Sequence, residues 1–258
     1  MRIHPTYGHS AQGPCDTGAG GGRAFETEDR PSDSPYVERV YRSEGVSTAT
    51  RMRSVAYTNW ELVVWADRGR TRVVVRGPET GPSTVEVGGE AALFGIIFAH
   101  GAAMPHLPVP RLVDAAVPAR HVTARTLVLR GEEWELPRFG TAEDFVDRLV
   151  RAGVLVRDPL VADVLAGDDA RGLSPRSVQR RVVAATGLTR GAIRQIERAR
   201  QAAVLLGEGL APLDVVHRLG YYDQPHLARS LTRFVGRTAT ELRRPDPDEP
   251  LSLLYKRG

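Results

Sequence analysis

Cysteine and long apolar runs are almost missing from this sequence. Its 258 residues include a single cysteine, Cys15, so a disulfide framework is excluded. No apolar run approaches the roughly 20 residues that span a bilayer, and the amino terminus has no apolar signal-peptide core. We therefore expect a cytoplasmic protein with no membrane partner.

Lysine is nearly missing too, because Lys256 is the only lysine among 35 basic residues. We attribute this bias to GC-rich coding rather than to phosphate or guanine recognition, since arginine dominates everywhere in the chain. The placement of charge is more informative. Residues 174–244 carry 13 arginines and 5 acidic residues, a net charge of +8, whereas the other 187 residues carry a net −4. Local positive charge attracts phosphates, so the C-terminal region predicts a nucleic-acid partner.

The N-terminal half has the pattern of short strands. Residues 1–34 are rich in glycine, serine, threonine and proline and are expected to form a disordered tail. Within residues 35–155, two mostly apolar runs, residues 60–65 and 72–75, flank a turn at residues 67–70, which predicts a hairpin. Several such runs favour a mainly-β domain, either a sandwich or a partial barrel.

Two shorter segments of this half predict helix. Residues 101–107 are expected to form one helical turn. Thr141, followed by Asp144, predicts a capping box for a helix whose apolar face holds Phe145 and Leu149.

Residues 156–244 have helical periodicity throughout, and residues 245–258 are expected to form a C-terminal tail. Residue types that start and stop helices recur here, with N-caps at Asp158, Ser174, Thr189 and Thr238 and ends at Gly187 and Gly220. Their spacing predicts two helix-turn-helix units joined by a long connector. The fold class is therefore α+β, with a mainly-β domain followed by an all-α domain.

Two of the predicted helices have a polar face opposite their apolar face. If Val178 and Val182 point into the core, the opposite face of the first helix holds Arg176, Gln179 and Arg180. Burial of Leu227 and Leu231 leaves outside Gln224, His226, Arg229 and Arg233. Because arginine pairs with guanine and glutamine with adenine in the major groove, such faces suit recognition helices.

A series of motifs follows in order through this region. It comprises Leu173-Ser174, Val178-Gln179-Arg180-Arg181, Ala185-Thr186-Gly187-Leu188-Thr189, Arg198-Ala199-Arg200, Gly220-Tyr221-Tyr222-Asp223-Gln224, His226-Leu227, Arg229, Phe234, Gly236, Thr238 and Leu242-Arg243. The series resembles the DNA-binding domain of the AraC family of transcription regulators. In that family each monomer places two recognition helices in successive major grooves on one face of double-stranded DNA. The turn of the first unit, residues 167–172, is longer than is usual there, and the second unit matches more fully.

The resemblance implies a role for each matching residue. The base-reading positions fall on Arg176, Gln179 and Arg180 in the first helix and on Gln224, Pro225 and Arg229 in the second. His226, on the same helix, is a further base-reading candidate. Apart from the resemblance, we hypothesise that Ser177, Arg190, Arg194 and Arg233 contact phosphate.

The N-terminal region resembles the cupin-like sensor domains that precede such DNA-binding domains. The residues behind this likeness are Tyr36-Val37-Glu38-Arg39, Phe94-Gly95-Ile96-Ile97-Phe98 and Gly101-Ala102-Ala103. In the wider family this region senses a ligand, dimerises, or does both. The resemblance therefore implies a bacterial regulator with a small-molecule effector, a homodimer, or both, and RNA polymerase as a partner if it is an activator.

Motifs for catalysis, cofactors and metals do not stand out. The sequence has no evident nucleophile–base pair, phosphate loop or metal-binding cluster, so we expect neither an enzyme nor a cofactor. The scattered histidines His100, His106 and His121 do not favour a metal site. For Trp60, Trp65 and Trp134, core packing is favoured over a ligand pocket.

Two other functions stay open. One is a small-molecule-binding protein or enzyme in the β domain, with the helices as an accessory nucleic-acid-binding module. The other is a non-specific nucleic-acid or protein-interaction module. A comparison of target DNA with random DNA separates the latter from a sequence-specific regulator.

Overall fold

The computed structural model describes residues 26–47, 51–67, 69–86, 89–168, 172–244 and 251–252. The strands in these ranges are β1 (Glu26–Pro31), β2 (Val37–Ser47), β3 (Arg51–Ser54), β4 (Glu61–Asp67), β5 (Arg70–Arg76), β6 (Ser83–Glu86), β7 (Gly89–Phe98), β8 (Ala102–Ala103), β9 (Ala116–Pro118), β10 (Thr126–Leu129), β11 (Glu132–Glu135), β12 (Val156–Arg157) and β13 (Leu251–Ser252). The α-helices are α1 (Ala142–Arg151), α2 (Pro159–Ala166), α3 (Pro175–Thr186), α4 (Arg190–Gly207), α5 (Pro212–Leu219), α6 (Gln224–Phe234) and α7 (Ala239–Arg243). A mainly-β region is thus followed by a helical region, and the predicted α+β class is confirmed.

Six strands form one antiparallel sheet in the order β1-β2-β7-β4-β5-β9. The predicted hairpin is confirmed as β4 and β5, with Asp67 opposite Arg70 at the turn. Gly69 has a φ of 75° there, in the left-handed region that glycine adopts without steric cost. The remaining strands form three small sheets, β10-β11, β12-β8 and β13-β3-β6.

A first hydrophobic core lies against one face of the large sheet. Leu62 and Ile96 are opposite each other on β4 and β7, and both are fully buried. Trp60 stacks on Phe98 with ring centroids 3.8 Å apart, and its indole N–H donates to a backbone carbonyl at 2.7 Å. Phe145 joins this core from α1. The preference for core packing is therefore confirmed for Trp60.

A second hydrophobic core is built from α2 to α7. Its fully buried members include Ile196 on the connector, Leu231 on α6 and Val161 on α2. Val55 and Ala56, which follow β3 in the β-rich region, belong to this second core. The helical region therefore shares its core with a segment that lies about 100 residues earlier in the chain.

Part of each end of the chain is ordered, and the prediction of disorder for residues 1–34 is wrong at Glu26–Pro31. Part of the segment expected to be disordered, residues 1–34, forms β1, which pairs with β2 over its whole length. The expected C-terminal tail contributes β13, which pairs in parallel with β3. In both cases pairing with a distant strand supplies the order, and local composition does not reveal such partners. Residues 1–25 lie outside the described residues.

Two local predictions are also wrong. Residues 101–107 form β8 and an isolated bridge between Met104 and Leu107 instead of a helical turn. The competing interaction is the pairing of β8 with β12. Thr141 does precede α1, but its side chain makes no capping hydrogen bond, because the chain enters α1 through the 3-10 turn Phe139–Thr141.

Candidate nucleic-acid interface

The first helix-turn-helix unit consists of α2 and α3, and each helix begins at the predicted cap. The carboxylate of Asp158 accepts from the N–H of Leu160 at 3.2 Å, and the Ser174 hydroxyl accepts from the N–H of Ser177 at 3.3 Å. In both helices a proline follows the cap, where its missing N–H and fixed φ suit the first turn. These local signals place α3 where the sequence predicts it.

The faces of α3 follow from which valines are buried. Val178 and Val182 are buried in the helical core, as expected. Arg176 and Arg180 lie on the exposed side, one turn apart. Gln179 is half-buried, so it lies at the edge of the exposed face and not at its centre. The structure thus places the three predicted base-reading residues on one side of α3, and the two arginines are the more exposed of the three.

Polar contacts join the two helices of the first unit to each other and to the connector. Arg181 makes a bidentate contact with Asp158, at 2.9 and 3.1 Å. Arg190, at the start of the connector, donates to the carbonyl of Val164 at 3.1 Å. Arg190 is therefore already engaged with the end of α2, whereas Arg194, one turn further along, is exposed.

The second unit consists of α5 and α6 and has a shorter turn. Gly220 ends α5 with a φ of 66°, as predicted. Asp223 caps α6 by accepting from the N–H of His226 at 2.7 Å. Leu227 and Leu231 are buried, as expected. The exposed residues of α6 include the predicted positions Gln224, Pro225, Arg229 and Arg233.

The ring of His226 has contacts inside the protein. The ring lies edge-on to Tyr221, with centroids 5.2 Å apart. Its Nδ1 accepts from the backbone N–H of Tyr222 at 3.4 Å. His226 is half-buried and helps to hold the turn before α6.

A cluster around Tyr221, absent from the predicted site, holds the second unit to the connector. The guanidinium of Arg198 on α4 lies 4.4 Å from the centroid of the Tyr221 ring and donates to the carbonyl of Gly220 at 3.4 Å. On the other side, the Tyr221 and Ser230 hydroxyls are 3.2 Å apart and buried. Arg198, Tyr221 and Ser230 therefore link α4 to α6. The only signal in the sequence was that Arg198 and Tyr221 belong to the family-like motifs.

The connector α4 joins the two units as one continuous helix of 18 residues. Thr189 caps it, as predicted, by accepting from the N–H of Ala192 at 3.1 Å. Ile193 and Ile196 are buried in the helical core. After the second unit, Thr238 and Glu241 form the predicted capping box of α7.

The β-rich region has no metal-site geometry among the described residues, and none of the described helices is both long and apolar enough to cross a membrane. His100 is half-buried, and its Nε2 lies 3.2 Å from the Thr58 hydroxyl. Burial lowers the pKa of His100 below its usual value, which favours the neutral ring. His106 and His121 are exposed.

A cavity of about 530 Å³ opens between the large sheet and the chain that leads into α1. Of the three tryptophans, Trp65 is the one that lines it, together with Phe94 and Phe139. Trp134 is half-buried and donates to the carbonyl of Leu129 at 3.3 Å. The preference for core packing over a pocket therefore does not hold for Trp65.

Residues 169–245 match the family model of a helix-turn-helix domain, of the AraC type. Residues 169–245 are therefore an AraC-type helix-turn-helix domain, and this domain supports a DNA-binding transcription regulator. The match spans α3 to α7 and leaves out α2, the leading helix of the unit with the long turn. Comparison with curated proteins and with solved structures finds no match. The matched residues of this AraC-type domain do not extend into the β-rich region, so the cupin-like likeness stays a prediction.

Proposed function

We propose that this regulator is sequence-specific and inserts α3 and α6 into successive major grooves on one side of a DNA duplex. The observation that carries the proposal is the pair of short helices, each with an exposed polar face, held by one continuous connector. At 1.5 Å per residue, a connector of 18 residues is about 27 Å long. That length is comparable to the spacing of about 34 Å between successive major grooves.

We assign base reading in the first groove to Arg176, Gln179 and Arg180. In the second groove we assign it to Gln224, Pro225, His226 and Arg229. Pro225 has no side-chain donor, so it suits a thymine methyl or the shape of the groove. Since Nδ1 of His226 is used inside the protein, Nε2 is the ring nitrogen that we assign to a base contact.

Phosphate contacts set the register of such a complex without reading sequence. We assign them to Ser177, Arg190, Arg194 and Arg233. The net charge of +8 on residues 174–244 supports this assignment. The Arg190 guanidinium also donates to the carbonyl of Val164. To contact DNA as well, it must donate to that carbonyl and to a phosphate oxygen at the same time.

We further propose that residues 156–244 form the DNA-binding domain and residues 35–155 a sensor or dimerisation domain. The two hydrophobic cores, one on each side of this boundary, support the division. Val55 and Ala56 are the exception, because they precede this boundary but belong to the helical core, so the two proposed domains are in contact.

Selection of bound fragments from random duplex DNA, followed by footprinting, tests the two-groove proposal. We expect protection of two neighbouring major grooves on one side of the duplex. We also expect target DNA to bind at least about 10³-fold more tightly than random DNA. A preference of tenfold or less, or protection of a single groove, would contradict it and favour a non-specific module.

The cavity supports a second proposal, that the β-rich region binds a small-molecule effector. Its volume lies within the range of about 300–1,000 Å³ typical of ligand pockets. The aromatic rings of Trp65 and Phe94 and the basic residues Arg125 and Arg138 all line it. Arg42, Glu44 and Glu135 line it too, so three arginines face two glutamates. The small excess of positive charge suits a small, partly apolar molecule that carries a negative charge.

A thermal-shift series with small aromatic and aliphatic acids tests the effector proposal on the full chain. We expect at least one acid to raise the unfolding temperature of the wild type but not that of Arg138→Ala. The matched control, Arg148→Ala on α1, changes an exposed arginine outside the cavity and should keep the response. Equal shifts in the wild type and Arg138→Ala would contradict the assigned site.

A further inference from the structure

The helical region is tied to the β-rich region at both of its ends. At its start, β12 pairs with β8, and the N–H of Asp158 donates to the carbonyl of Gly101 at 3.0 Å. At its other end, β13 pairs with β3, with Leu251 opposite Arg53. The helical region is therefore connected to the β-rich region by strand pairing at two places.

Residues 55–58, directly after β3, form a further contact that reaches into the helical region. We call them the bridging segment. The N–H of Ala56 donates to the carbonyl of Phe234, at the end of α6, at 2.8 Å. The carbonyl of Ala56 accepts from Arg200, on α4, at 3.0 Å. The backbone of one residue thus joins the connector to the second recognition helix.

Side chains of the bridging segment strengthen the contact with the connector. The Thr58 hydroxyl donates to the carboxylate of Glu197 at 2.7 Å. The guanidinium of Arg200 lies 4.6 Å from the centroid of the Tyr57 ring. The side chains of Glu197 and Arg200 lie on α4, three residues apart. The bridging segment therefore contacts the connector at two positions, one helical turn apart.

The burial of Arg200 indicates that this contact is built into the fold. Only 7% of Arg200 is exposed, and burying a charged group is costly unless it finds partners. Two of its partners, the carbonyl of Ala56 and the ring of Tyr57, come from the β-rich region. Without the bridging segment, Arg200 would therefore lose both of these partners.

The β-rich region contacts the first unit as well. A methyl group on Gly187, at the end of α3, would come within 2.4 Å of the Val113 side chain and 3.2 Å of Pro110. These residues flank or belong to the 3-10 turn Val109–Arg111. The β-rich region thus touches the end of each recognition helix, α3 at Gly187 and α6 at Phe234.

We propose that the β-rich region, through the bridging segment, sets the separation and angle of the two recognition helices. In this role Thr58 and Arg200 are positioning residues for DNA reading and do not touch DNA. The inference rests on the proposed two-groove function. It predicts that weakening the bridging segment makes the protein less selective for the distance between its two half-sites.

The test compares full-length Thr58→Val with the wild type on DNA with native spacing and with one or two base pairs inserted between the half-sites. Valine keeps the shape of threonine but removes its hydroxyl, and with it both the donor to Glu197 and the contact with His100 Nε2. For the wild type we expect insertion to weaken binding about 100-fold, because one helix loses its base contacts. For Thr58→Val we expect this factor to fall to about 10, since a hydrogen bond to a carboxylate contributes roughly tenfold. Thr58→Ser keeps the hydroxyl and should restore the wild-type factor.

Thr126→Val is the matched control. The Thr126 hydroxyl also donates to a carboxylate, that of Glu133, at 2.6 Å, but within the hairpin of β10 and β11. This variant should keep the wild-type spacing factor. A Thr58→Val protein that binds all spacings equally more weakly, or that keeps the wild-type factor, would overturn the inference. A wild type that is insensitive to spacing would instead overturn the two-groove function, and the inference with it.

Discussion

Replacing Arg229 with alanine separates base reading from simple attraction to the DNA backbone. Arg229 is exposed on α6 and makes no hydrogen bond, ion pair or ring contact with any other residue that the structure describes. Its removal should therefore change the free energy of unfolding by no more than about 0.5 kcal/mol. A bidentate pair with guanine contributes about 1–3 kcal/mol of discrimination, so binding to the target should weaken about 5- to 150-fold. The loss should be confined to one base pair, at which the variant accepts other bases almost equally.

Arg233→Ala, one turn further along α6, provides the contrast. The Arg233 guanidinium lies 4.8 Å from the ring centroid of Phe234, and we assign it to phosphate. This variant should weaken binding to all sequences alike and reduce the slope of log affinity against log salt by about 0.9. Fluorescence anisotropy on targets with each base pair changed in turn, at several salt concentrations, distinguishes the two. Arg148→Ala on α1 is the unaffected control. If Arg229→Ala weakens all sequences equally and lowers the salt slope, its assignment to base reading is wrong.

Two further predictions concern stability. In urea titrations, Gly187→Ala should destabilise the protein by about 1–3 kcal/mol more than Gly209→Ala. Both glycines have a positive φ, but of the two only Gly187 would bring its new methyl group against a neighbour, Val113. Equal losses of stability would contradict the contact between the two regions. The Arg30 guanidinium holds the pKa of Glu143 at about 2, below its usual 4.5, so this carboxylate contributes stability above pH 4.5 that is lost as the pH falls towards 2. After solvent screening the loss should be about 1 kcal/mol when urea titrations at pH 5 and pH 2 are compared. Arg30→Met should remove most of this loss but not all of it, because the Ser32 hydroxyl also donates to Glu143. A loss of the same size in the variant would refute this cause.

The helices α3 and α6 could be predicted from the sequence because their signals are local. Ser174 followed by proline, and Gly187 twelve residues after Pro175, define α3 without reference to the rest of the chain. In the second unit, Gly220 stops one helix and Asp223 caps the next. Hydrophobic spacing then determines which faces are buried. The same rules place the base-reading candidates on the exposed faces, with Gln179 and His226 as the half-buried exceptions.

The contacts between the two regions could not be predicted in this way. Arg200 and Ala56 are 144 residues apart, and no motif or spacing near Ala56 indicates a contact with the connector. The burial of Arg200 is similarly hidden, because arginine is normally exposed on a helix of a basic protein. Pairing of β13 with β3 has the same origin. Non-local interactions with no periodic or capping signal decide how the two regions meet.

The contacts that hold the first helix-turn-helix unit in place are weaker than those that hold the second. We therefore predict that the first unit dissociates from DNA at a lower salt concentration than the second. Arg181 and Asp158 form an ion pair with 46% and 26% of their side chains exposed, and such pairs contribute about 0–1 kcal/mol and weaken with salt. The second unit is instead held by Arg198 on Tyr221 and by the buried Tyr221 and Ser230 hydroxyls, which salt reaches less. Footprints at increasing salt should therefore lose the groove read by α3 before the groove read by α6. Asp158→Asn removes the ion pair but keeps an acceptor for the N-terminus of α2, so it should bring this loss to lower salt without changing the second groove. Simultaneous loss of both grooves in the wild type would contradict the difference in strength.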